Sequence, residues 1–477
     1  MSMSQKSAKR GLGRLWINVH MVLESPSKLF LLLAVVFGTF MIFLTPPLMV
    51  PDELAHFGRG YQVSEGHLLS ETNESGTGGI VPTVPKNQAK STREVPSLYS
   101  GNYFDRLTEA NYKFETFPNS AVYSPISYIP QAMGIKIADV IYPSIGLMFI
   151  LGRIFNLATF VVLILVAIRA APRAKWVYVV AALLPMTIHQ AASLSSDVMT
   201  IGLAFVIIAY IHKLFVSKVK LDRKTFIILG ILSIGLALTK QTNIVLLFPL
   251  LFLPVRLFNN LSSKLLIVGS LLVTSMIFMV SWYVITKIFH YDLHFSPYDA
   301  DIMKQLIFIL HHVGDFFRVL FVTYIYGGIS NGGTMLQDFF AGSVIGYFSW
   351  IEYKLPLASI ISAYVLLFVT LFYVDGQKKD IYISRLAIIQ LITFIGAMIA
   401  TALILYLTWS AVGAGRVDGL QGRYFIALIP LLVGPALFLQ KYLKISMSKT
   451  TLGVIVGGVS AVNLLVMILL TFEWFYQ

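Results

Sequence analysis

From Leu29 to Pro51 the chain carries no charged residue, and uncharged apolar runs of similar length recur along it. About 20 apolar residues is the length at which a helix crosses bilayer hydrocarbon. A helix can do so because it satisfies its own backbone hydrogen bonds where no water is present. Strands of a membrane barrel would read instead as alternating segments of about 10 residues. Composition agrees: 57% of the 477 residues are hydrophobic and 12% are charged, against about 25% charge in soluble domains. A soluble enzyme, a disordered chain and a nucleic-acid reader are excluded. With no cysteine, disulfides and thiolate metal sites are excluded too.

The runs predict an all-α polytopic membrane protein of about eleven transmembrane helices. They lie at 29–51, 146–168, 176–195, 198–216, 225–240, 242–257, 265–289, 355–374, 386–408, 423–440 and 451–472. The segments that then face the cytoplasm hold most of the 36 Lys and Arg residues and few acids. This positive-inside bias accounts for the whole net charge of +13. It puts the N-terminus inside, the C-terminus outside and the protein in the cell membrane. Residues 123–142 are apolar, but Pro125, Pro130, Lys136 and Asp139 interrupt them. They are expected to lie as an amphipathic helix on the outer interface. Four regions follow: a tail at 1–28, a catalytic module at 29–289 with an outer loop at 52–143, a second outer loop at 290–354, and C-terminal helices at 355–477. Both outer loops are expected to carry juxtamembrane helices. Residues 70–100 of the first, rich in Gly and Pro, are expected to be irregular.

Ionisable residues at the ends of spans are costly and point to function. Pro51-Asp52-Glu53-Leu54-Ala55-His56 fixes two carboxylates and an imidazole beside the first span. On a helix Asp52, Glu53 and His56 share a face, although acids also suit any first helical turn. Asp197 either caps the next helix or holds substrate or metal. Lys240, between two short apolar runs, either snorkels or meets an anion. Arg423 follows a glycine-rich loop and opens a helix, where free N–H groups favour anions; its alternative is a pair with Asp418. Arg153, inside a span, is expected to pair with Asp197 or a first-loop carboxylate.

Four stretches together resemble a known pattern: Pro51-Asp52-Glu53-x-x-His56-Phe57-x-Arg59-x-Tyr61, Tyr123-Ser124-Pro125-x-x-Tyr128, Gly346-Tyr347-x-x-Trp350 and Gln421-Gly422-Arg423-Tyr424. They look like a bacterial family of predicted multi-span membrane proteins that is similar to the GT-C superfamily of membrane glycosyltransferases. The resemblance implies a GT-C-like fold, a polyprenyl-phosphate sugar donor and work on the outer face. It implies catalysis by an acid after the first helix, which maps to Asp52 with Glu53 beside it; the motif does not separate the two, so either could be the base. It also implies donor phosphate binding by Lys240 and Arg423. A divalent cation, Mg or Mn, held by Asp52 and Asp197, is a candidate cofactor on the same ground.

The residues and the resemblance together lead to an inverting glycosyltransferase. It would move a sugar from a polyprenyl-phosphate donor to a cell-envelope glycan or lipid-linked acceptor, amid membrane lipids and without nucleic acid. Substrate contacts are expected from His56, Arg59, Tyr61, Tyr123, Tyr128, Lys240, Gln421, Arg423 and Tyr424. The alternative is a lipid-linked glycan transporter or polymerase-type protein, which would place charges along a central cavity, often between inverted repeats. A third is a scaffold without catalysis.

Overall fold

A computed structural model of the chain describes residues 20–84, 102–289, 291, 298–326, 342–350, 352–374 and 383–477. The basic tail at 1–19, the second half of the expected irregular stretch at 85–101, and the basic connection at 375–382 lie outside the described residues. The molecule is mostly helical. Among the described residues seven helices are long and apolar enough to cross a membrane: Pro26–Leu44, Ile145–Ala170, Asp197–Val216, Leu261–Ile288, Ile383–Thr408, Gly422–Leu439 and Lys449–Tyr476. Ile302–His311 and Val313–Ile325, bent by 103°, would make an eighth if they form one span.

The other expected spans are short or interrupted. Residues 176–195 break into Lys175–Ala182 and Pro185–Ala191, because Pro185 lacks the N–H that would continue the helix. Arg223–Thr239 and Leu357–Phe372 have 17 and 16 residues. Gln241–Phe252 winds as a 3₁₀ helix of 12 residues. At a rise of roughly 2.0 Å per residue it reaches about 24 Å, where α winding would give about 18 Å. Gly422–Leu432 is also 3₁₀ and continues as the α-helix Val433–Leu439. Pro249 and Pro430 lie inside these two segments.

Helix ends meet in two groups. In one, the Tyr476 hydroxyl donates to the Leu44 carbonyl at 3.0 Å, the Trp350 indole to Leu48 at 3.3 Å, and Ser124 Oγ to Leu238 at 2.8 Å. In the other, Arg256 donates to the Phe215 and Ser217 carbonyls at 2.6 and 3.0 Å. There too the Ile445 N–H reaches the Phe372 carbonyl at 2.9 Å, and Thr450 donates to the Glu24 carboxylate.

The first loop corrects the all-α expectation. Gly76–Pro82 is the central strand of a three-stranded antiparallel sheet, between Glu71–Asn73 and Tyr112–Thr116. A short hairpin pairs Tyr347–Phe348 with Tyr353–Lys354. The glycines that read as breakers serve close approach: a Cβ on Gly78 would stand 1.9 Å from the Glu115 carbonyl oxygen. Beneath the sheet Phe57, Tyr61, Phe117 and Phe149 form a separate small core. Within 123–142, Ile129–Ile141 is a helix of 13 residues, about 20 Å long and too short to span. It buries Gln131, Ala132, Ile135 and Ala138, and exposes Ile129, Met133, Ile137 and Val140.

Candidate functional site

The first span ends at Leu44, and Pro46, Pro47 and Pro51 turn the chain before the helix Glu53–Ser64 begins. Asp52, at the turn, has φ +65°, a left-handed conformation that few residues besides Gly, Asn and Asp adopt. It sits at the N-cap, yet its side chain makes no capping hydrogen bond. Oδ1 instead accepts from Asn119 Nδ2 at 3.1 Å, and Oδ2 lies 3.5 Å from Arg423 Nη2. The carboxylate is therefore turned away from its own helix.

A second pair stands nearby: Lys240 Nζ is 2.6 Å from Asp197 Oδ1. Lys240 also lies 4.9 Å from the centre of the Tyr424 ring and 6.0 Å from that of Tyr123. The Arg423 guanidinium is 5.5 Å from the same Tyr424 ring. The side chains thus form one cluster of cation–π contacts. Arg423 is 7% exposed, and its Nε has no partner among the described residues. The buried Thr200 Oγ1 is likewise unpartnered there. His56, one helical turn after Asp52, bonds through Nδ1 to the Tyr128 hydroxyl at 3.0 Å, which leaves Nε2 for the site. Burial holds the His56 pKa below its ordinary 6.5, outweighing the opposing pull of Asp52 and Asp197.

These groups line a cavity of about 340 Å³. Asp52, His56, Tyr123, Asp197, Lys240, Gln421, Arg423 and Tyr424 all border it. Ala397, Thr401, Ile404 and Leu405 border it too. Their spacing makes one mostly apolar stripe on the helix Ile383–Thr408. The cavity therefore has both charged and apolar lining. Four helices of eleven or more residues start at it: Glu53–Ser64, Asp197–Val216, Gln241–Phe252 and Gly422–Leu432. Ser343 Oγ accepts the Gly422 N–H at 2.7 Å and Ser195 Oγ the Asp197 N–H at 3.2 Å, while the N-cap side chains of Asp52 and Lys240 make no capping bond; the positive dipole ends reinforce Lys240 and Arg423.

Other expected site residues are placed elsewhere. Glu53 is fully buried against Arg153, with Nε and Nη2 at 2.9 and 2.7 Å from its two oxygens. The Leu48 and Leu194 N–H groups also donate to it, so this carboxylate ties the first turn to the span Ile145–Ala170. Arg59 is buried on Gln62 and the Leu68 carbonyl. Tyr61 belongs to the small core beneath the sheet. Tyr128 stands behind His56 and orients it. None of these four lines the cavity. Asp418, the alternative partner of Arg423, pairs with Arg416 at 3.0 Å. Asn119, Thr200 and Trp409 line the cavity unforeseen; no charge or motif marked them in the sequence.

The divalent cation does not fit this donor set. Among the described residues no three His, Cys, Asp or Glu side chains gather as a metal site. Asp52 and Asp197 each already face a cation, and Arg423 and Lys240 would repel a metal.

No curated protein and no solved structure matches the chain. Residues 35–432 match the family described as predicted membrane protein DUF2142. The matched range holds every residue of the cavity. The chain is a multi-pass membrane protein and belongs to the DUF2142 family.

Proposed function

We propose that the protein is an inverting membrane glycosyltransferase that takes its sugar from a polyprenyl-phosphate donor. The observation that carries this reading is the amphipathic cavity: two cations and four helix N-termini border it together with an apolar stripe. A phosphate fits the first and a prenyl chain the second. The acceptor is a glycan or lipid-linked hydroxyl of the cell envelope. Asp52 takes the proton of that hydroxyl, and the oxygen bonds to the anomeric carbon. The bond from that carbon to the phosphate oxygen breaks, and its electron pair leaves with the lipid phosphate. Arg423 and Lys240 stabilise the charge that develops there. His56, neutral through burial, donates or accepts a hydrogen bond without adding charge.

The same geometry supports about eleven crossings with the cavity on the outer face. Asp52, Asp197, Lys240 and Arg423 share one end of the molecule, so the chain between each successive pair must cross an even number of times. That condition holds if Lys175–Ala191, Arg223–Thr239, Gln241–Phe252 and Leu357–Phe372 all cross and the bent pair after Asp301 does not. The Tyr476–Leu44 bond then puts the C-terminus on the cavity side. Lysines and arginines such as Lys218, Lys220, Arg256 and Lys441 gather at the other end, as positive-inside requires.

Arg423→Ala tests the site. A charge-assisted bond to phosphate is worth about 1.5–3 kcal/mol, so binding of farnesyl phosphate to the purified protein should weaken at least about tenfold. Inorganic phosphate, lacking the chain, should compete poorly. Unchanged affinity in a well-folded variant removes the phosphate role of Arg423, and equal competition by inorganic phosphate removes the lipid.

A further inference from the structure

The two ion pairs of the cavity are unequal. Lys240 and Asp197 stand 2.6 Å apart, with side chains 20% and 10% exposed. Arg423 and Asp52 stand 3.5 Å apart, and the Asp52 side chain is 39% exposed. Asp52 has a second anchor on the opposite oxygen, in Asn119. Arg423 still has a buried Nε with no partner among the described residues, so the loose pair leaves hydrogen-bonding capacity unused. Among the described residues Asp52 is the one carboxylate paired with Arg423. We infer that Asp52 and the donor phosphate compete for the same edge of Arg423, so that phosphate binding displaces the carboxylate. This rests on the glycosyltransferase reading above and adds an order of events to it.

The competition links binding to chemistry. While Asp52 faces Arg423, its carboxylate is engaged and the acceptor has no base. Phosphate on Arg423 turns the carboxylate loose, held only by Asn119, toward the acceptor hydroxyl. After transfer Asp52 carries the proton and is neutral. Once it loses that proton it returns to Arg423 and expels the lipid phosphate. Lys240, held tightly by Asp197 and stacked near Tyr123 and Tyr424, does not exchange partners.

The competition makes a prediction of unusual sign. Asp52→Asn slows transfer by about 10² to 10⁴, yet should bind farnesyl phosphate more tightly than the natural protein, by roughly fivefold, the scale of a partly exposed ion pair. Asn adopts the left-handed conformation as readily as Asp, so the variant keeps the turn; a thermal unfolding scan checks this. In an Arg423→Ala background the same change should leave the residual affinity unaltered, because the contested cation is gone. The measurement is binding of farnesyl phosphate to the full chain in detergent. Equal or weaker binding by Asp52→Asn overturns the competition and leaves the function standing. An Asp52→Asn gain that persists without Arg423 also overturns it, since the repulsion would then be general. Absence of binding to any form, the natural protein included, overturns the function itself.

Discussion

Asp52 and Glu53 are adjacent carboxylates with opposite fates, decided by backbone direction. The left-handed turn at Asp52 points its side chain into the cavity, and the first helical turn points Glu53 back into the bundle. There both oxygens of Glu53 meet a fully buried arginine. Removing one partner of such a pair strands a charge in a dry interior, which costs about 3–5 kcal/mol. Glu53→Gln should therefore lower the thermal stability of the purified protein sharply, and lose activity only as fold is lost. A variant with normal stability and no activity would return Glu53 to the chemistry. The sequence showed both acids and Arg153 as important, and offered either Asp197 or a first-loop carboxylate as the partner of Arg153. It could not separate them, because a single backbone dihedral makes the difference.

At the scale of elements, apolar length was the legible quantity and helix type was not. The seven long spans lie where uncharged runs predicted them. The 3₁₀ winding of Gln241–Phe252 was hidden, since its side chains are those of any apolar helix and only Pro249 hints at a change. The sheet at 71–82 was hidden because Gly78 and Gly79 read as breakers when they are sites of close approach. Gly134 is the same kind of residue on a helix: a Cβ there would stand 2.2 Å from the Leu151 carbonyl oxygen. Gly134→Ala should push Ile129–Ile141 off the span beside it and cost about 1–3 kcal/mol, read as a lower unfolding temperature. Gly458→Ala, where a Cβ meets nothing within 4 Å, is the control and should be neutral or mildly stabilising. Equal effects of the two would mean the juxtamembrane helix is not packed as described.

For the whole molecule, the proposed topology rests on charge asymmetry and cavity position together. The sequence supplied the asymmetry; only the fold could bring residues 52, 197, 240 and 423 together from four separate junctions. Single cysteines in a chain that has none can test the result. Glu74→Cys and Lys304→Cys should react with an impermeant maleimide from outside, and Lys218→Cys only after the membrane is opened; the reverse labelling of Lys218→Cys would break the even-crossing scheme. The central claim is that this cavity transfers a sugar with Asp52 as its base, and transfer assayed with purified Asp52→Asn tests it most directly. Loss of a general base costs about 10² to 10⁴ in rate. The account predicts a fall of that size in a folded variant that still binds farnesyl phosphate; full transfer by Asp52→Asn would contradict it.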